Sequence, residues 1–175
     1  MILLVCDHVK REVYALRLLQ KELSDLGIKS RIINKHSVIR AFNHYKPKII
    51  VFPQTRFFAD VINKVKDKVT TILVPSEHCA LNKDFIKTHY CGYFKNYKVK
   101  SSHSKIDYIF VQGKFIRDFL VKQRYFDKKK IIISGHLHYD FWKYSKENRK
   151  SEKNSNLGIA LTNEFAFRRY ENKNF

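Results

Sequence analysis

Glycine and proline are scarce in this chain, 5 and 3 of 175 residues, which excludes collagen-like and low-complexity architectures. The 3 cysteines, Cys6, Cys79 and Cys91, are odd in number and lack a disulfide-style spacing. They exclude a disulfide framework and point to a reducing compartment, by default the cytoplasm. Long hydrophobic runs are missing too: Ile2 to Cys6 and Ile131 to Ile133 fall far below the roughly 18 residues that span a bilayer. With no apolar signal segment after Met1, a membrane-spanning or secreted protein is not expected. Acidic residues are few. Asp plus Glu number 16 against 35 Lys plus Arg, leaving a net charge of +19, a field that attracts phosphates of nucleic acid, nucleotide or an anionic membrane face. Part of that excess is compositional, because most of the cations are Lys in a chain also rich in Asn, Ile, Tyr and Phe. What is present, 44% hydrophobic and 14% aromatic residues in 21.0 kDa, is enough for one globular domain with a real core.

The apolar pattern alternates between two periods, short β-branched runs and segments with helical spacing, which is the signature of an α/β fold. Strands are expected at Ile2 to Cys6, Ser30 to Ile33, Lys48 to Phe52, Thr70 to Val74, Asp107 to Val111 and Lys130 to Ser134. Their uniform apolarity predicts buried parallel strands. Val13, Leu16, Leu19, Leu23 and Leu26 space a first helix that Gly27 closes. Further helices are expected from Ser37 to Tyr45, Phe57 to Val65 and Lys114 to Gln123, so the order implies a doubly wound parallel sheet. Between Val74 and Asp107 the pattern weakens to loop with one short helix. The boundaries that follow are a domain over 1–142, a polar linker over 143–156, and 157–175 as the first strand of a further domain or a tail.

Ligands of open parallel sheets bind beyond the carboxyl ends of the strands, so the residues just after those ends are the candidates. After strand one come Asp7 and His8, then Lys10, Arg11 and Glu12 beside helix N-terminal amides, a place suited to an anion. Asp7 as helix cap and Glu12 as a complement to the dipole explain the same residues. No glycine-rich phosphate loop follows, which weakens a dinucleotide reading. After strand four, Ser76, Glu77 and His78 put a carboxylate next to an imidazole, making Glu77 a candidate general base, although a capping Ser76 with Glu77 in a first turn fits equally. His78, Cys79, His89, Cys91 and His103 lack a paired metal-ligand spacing, so no metal is expected. After strand five, Gln112, Gly113 and Lys114 form a strand-to-helix turn able to hold an anion. After strand six, Gly135, His136 and His138 lie where a tight turn meets the crevice. Phe57, Phe58, Tyr90, Tyr93, Phe94 and Tyr97 lie among cations and could stack bases or sugars, or pack in the core.

Lys10-Arg11-Glu12 leading into Leu16 to Leu19, Ser76-Glu77-His78, Asp107 to Gly113, and Lys130 to Asp140 together resemble the N-terminal half of a bacterial glycosyltransferase of surface-carbohydrate (capsule or lipopolysaccharide) biosynthesis, of GT-B architecture. The resemblance covers about residues 1 to 163. Where the family usually reads Gly-Asn-Pro-Arg-Phe-Asp, this chain has Gly135-His136-Leu137-His138-Tyr139-Asp140, and Glu77-His78 stands where two acids are common. The resemblance implies a Rossmann-like acceptor-binding domain, with Leu157 to Asn163 and Phe165 similar to the opening of a second, nucleotide-sugar-binding domain. It also implies a side-chain base (Glu77 or Glu12), no metal or tightly bound cofactor, a nucleotide-sugar donor as substrate, and a glycan or lipid-linked acceptor. Such a half-enzyme is expected to be inactive alone and peripheral at the inner face of the cytoplasmic membrane, where its cations meet anionic lipid. The rival expectation is a free-standing, non-enzymatic module that binds a nucleotide, phosphosugar or nucleic acid in the same crevice.

Overall fold

Short apolar runs with helical segments between them become β1 (Ile2–Cys6), α1 (Val9–Asp25), β2 (Ser30–Asn34), α2 (Val38–Tyr45), β3 (Ile49–Phe52), α3 (Ala59–Val65), β4 (Thr70–Leu73), β5 (Tyr108–Val111), α4 (Lys114–Lys122) and β6 (Ile131–Ile133). The computed structural model describes residues 1–55, 57–76 and 105–137, together with Lys83, Ile86 and Asp140. The strands form one all-parallel sheet in the order β2-β1-β3-β4-β5-β6. It is an α/β, Rossmann-like fold. The chain steps from β1 outward to β2, crosses back to β3 and then continues in the other direction. The strand order therefore reverses between β1 and β3, and a crevice opens there.

Burial on both faces explains why the strands are apolar without alternation. Leu3 and Val5 join Ile50, Phe52, Leu73, Ile109 and Val111 on one face, covered by Val38 and Ala41 of α2, Ile62 and Val65 of α3, and Ile116 and Leu120 of α4. Ile86 is fully buried in the same cluster. Leu4, Cys6 and Val51 point the other way, against Leu16, Leu19 and Leu23 of α1. Two strands depart from the expected burial. β2 has only one buried residue, Ile33, and in β6 Ile132 and Ile133 are each 40% exposed. Among the described residues both are edge strands with a single neighbour, so no described strand lies on their outer sides.

Two local devices work at the amino ends of the strands, opposite the crevice. At the end of α1 the Gly27 N–H donates to the Ser24 carbonyl and the Ile28 N–H to the Leu23 carbonyl, a Schellman closure that needs Gly27 at φ +74°. An added Cβ there would meet nothing within 4 Å, so Gly27→Ala isolates the backbone term. It is expected to lower stability by about 1 kcal/mol, read as a shift in the urea midpoint. Between β4 and β5 the ladder pairs only Ile72 with Tyr108 and Leu73 with Ile109. Asp107 extends it: its Oδ2 accepts from the Thr71 N–H at 2.7 Å and the Thr71 hydroxyl at 3.0 Å.

Segments 143–156 and 157–175 lie outside the described residues, as do Glu77, His78, His138, Cys79, His89, Cys91, His103 and the aromatics from Tyr90 to Tyr97.

Candidate functional site at the strand ends

The first turn of α1 starts without a side-chain cap from its own N-cap residue, His8. Asp7, expected to cap it, does not. Glu12 reaches back instead. Its Oε2 accepts from the backbone N–H of Asp7 at 2.7 Å and of His8 at 3.2 Å, satisfying donors that a helix start leaves orphaned. Its Oε1 accepts from Arg11 Nη2 at 2.8 Å, Arg11 Nε at 3.3 Å and the Ser76 hydroxyl at 2.7 Å. Glu12 is 2% exposed and sits over a cavity of about 20 Å³ with Val5, Leu16, Val51, Val74 and Leu137 in its wall. That space suits a single water and no substrate. With five donors on its two oxygens, this carboxylate ties α1 to the end of β4, and its lone pairs are engaged away from any ligand.

Asp7 is freed from capping and lies at the β1/β3 switch point, its side chain 6% exposed. The Gln54 amide donates to its Oδ2, the Lys35 ammonium stands 2.7 Å from Oδ1, and Arg11 Nη2 stands 3.9 Å from Oδ2. Three strand ends thus converge: β1 supplies Asp7, β2 Lys35 and β3 Gln54. Phe57 adds an aromatic rim, 59% exposed, with its ring centroid 5.8 Å from Lys35 Nζ, whereas Phe58 is core, packed on Phe52. His8 and Lys10 are exposed beside the cluster.

Cys6 lies beneath the two acids, buried among Leu4, Leu16 and Val51. Burial, reinforced by the negative charges of Glu12 and Asp7, pushes its thiol up from the ordinary 9.0. The native thiol therefore holds its proton more tightly than the unfolded one. Its contribution to stability is complete below pH 9.0 and is lost as pH rises through the higher native value. Cys6→Ala should remove this component, so urea midpoints measured from about pH 8 to about pH 11 should fall less steeply in the variant than in the parent.

The far side of the crevice is quieter. Gly113 is the N-cap of α4 in extended backbone, and Lys114, its first residue, is exposed. Gly135 takes φ +82°, as the expected turn requires, and the Ser134 N–H donates to the Val111 carbonyl at 3.0 Å, carrying the β5–β6 register past the strands. His136 is 3% exposed and has partners of its own. Both amide atoms of Gln112 are buried with no partner among the described residues.

Of the residues anticipated from sequence, Asp7, Arg11 and Glu12 come together, with Ser76 joining them. Gln112, Gly113, Gly135 and His136 lie along the β5 and β6 ends. Glu77, His78 and His138 fall outside the described residues. Gln54 and Lys35 were missed. Their signal was available, since each follows the end of a strand expected from the sequence, but neither carries a motif of its own. Among the described residues no group of three or more His, Cys, Asp or Glu is placed to hold a metal ion, and no helix is long and apolar enough to cross a membrane. The sequence matches no family model, and no curated protein matches it.

Proposed function

We propose that this domain is the acceptor-binding half of a GT-B glycosyltransferase, which moves a sugar from a nucleotide-sugar onto a surface polysaccharide or lipid-linked glycan. The observation that carries the reading is the switch-point cluster: a carboxylate, Asp7, held by Lys35, Arg11 and Gln54 beside the exposed ring of Phe57. A sugar presents an apolar ring face and a rim of hydroxyls, and a solvent-exposed aromatic side chain next to fixed donors and acceptors matches both. The exposed cations Lys10 and Lys114, with the exposed side chain of His8 beside them, border the same end of the sheet and suit a phosphate-bearing or membrane-linked acceptor.

In this reading Glu77, the residue after the anchored Ser76, is the general base. It takes the proton of the acceptor hydroxyl as that oxygen attacks the anomeric carbon, and the nucleotide diphosphate leaves with the bonding pair. Glu12 is a positioning residue for the Ser76 end of the crevice. The donor is a substrate rather than a resident cofactor and belongs to a second domain.

The test is to purify the protein as its own host makes it, weigh it intact, and assay transfer from labelled nucleotide-sugars to lipid-linked acceptors. A mass near twice 21.0 kDa with sugar transfer is the expected result. A mass of 21.0 kDa, no transfer, and steeply salt-dependent binding to oligonucleotides exceeding that to heparin would overturn it in favour of a nucleic-acid module.

A further inference from the structure

A buried amide that makes no hydrogen bonds destabilises the fold at each polar group left unmet. Gln112 leaves two, Nε2 and Oε1, among the described residues. Its place makes that cost informative. Strand alternation sets Gln112 on the sheet face opposite Val111, which packs against α4. The β5–β6 register sets it next to Ser134, and extending the β4–β5 register brings it level with Ser76. Neither serine relieves it: the Ser76 hydroxyl donates to Glu12 and the Ser134 hydroxyl to the Gly135 carbonyl. The flanking backbone is open, because a Cβ built on Gly113 or Gly135 would meet nothing within 4 Å. The helix behind is uncapped, with no side-chain bond from its N-cap residue and no acid in its first turn.

We infer that Gln112 is a specificity-determining ligand contact, and that it takes a vicinal hydroxyl pair of a sugar, accepting from one hydroxyl at Oε1 and donating to the other oxygen from Nε2. An anion would satisfy Nε2 alone and leave Oε1 facing negative charge, so the amide selects a neutral group that is donor and acceptor together. This rests on the carbohydrate reading above and adds a second contact region, on the β5 side of the crevice, to the Asp7 cluster on the β1 side.

The Gln112 side-chain amide pair, identified in a nitrogen–proton correlation spectrum by its loss in Gln112→Met, gives a direct readout. Titration with methyl glycosides of galactose and of N-acetylglucosamine should move that pair, and inorganic phosphate should not. Gln112→Met should weaken saccharide binding by about tenfold or more while the melting temperature of the free protein stays level or rises, because two unmet polar groups are gone. Gln112→Glu, which keeps the length and loses the donor, should weaken binding likewise. A fall in melting temperature in Gln112→Met, unchanged saccharide affinity in both variants, or movement of the pair by phosphate would each overturn the inference. If saccharides move the signals of Asp7 and Phe57 but not the Gln112 pair, the inference fails and the carbohydrate reading survives. If they move neither, both fall.

Discussion

Replacing Glu12 by alanine is expected to lower the unfolding free energy by about 3–5 kcal/mol, the range for removing one partner of a buried ionic network. The substitution strips the acceptor from the Asp7 and His8 amides, the Arg11 guanidinium and the Ser76 hydroxyl at once. It also enlarges an apolar-walled cavity of about 20 Å³. Glu12→Gln preserves the shape but turns one end of the group into a donor that faces other donors, so it should cost about 2 kcal/mol. Urea unfolding of the parent and both variants checks this. A loss below about 0.5 kcal/mol, the ordinary scatter of surface substitutions, would show that the network does not hold α1 to the strand ends.

Glu77→Gln in the complete enzyme is expected to have the opposite profile, with a transfer rate lower by about 10²–10⁴-fold and stability little changed. The side chain keeps its size and loses the ability to take a proton, so the loss should appear in kcat more than in KM. Retention of a near-normal rate would remove Glu77 from the mechanism. The two glutamates separate what either result alone would blur, because a base can be neutralised without destabilising the protein whereas an anchor cannot. If Glu12→Gln lost transfer at full stability and Glu77→Gln did not, the assignments would have to be exchanged.

The strand and helix placements were legible because local chemistry determined them. Runs such as Ile2 to Cys6 have no polar side to offer water, and Val13, Leu16, Leu19 and Leu23 fall on one helical stripe closed by Gly27, so only a two-sided sheet flanked by helices could bury them. The crevice was legible as a place, since it follows from parallel strands and their carboxyl ends. The roles within it were less so. Asp7 and Glu12 are both acids near a helix start, and propensity alone made Asp7 the cap. Which partners each of them takes depends on where Ser76, Lys35 and Gln54 arrive, from 64, 28 and 47 residues along the chain.

By itself, then, the sequence determined the α/β class, the places of the strands and helices among the described residues, the strong positive charge and the strand ends as the region to search. Only the tertiary structure decided the strand order, and with it that the reversal falls between β1 and β3. It also decided that Ile132 and Ile133 stand on an edge, that Glu12 is an anchor engaged by five donors, and that the Gln112 amide is buried with both its polar atoms unmet among the described residues. The division has one physical cause. Secondary structure responds to periodicities within a dozen neighbouring residues, whereas the environment of a side chain is made by segments that the fold brings together from far along the chain.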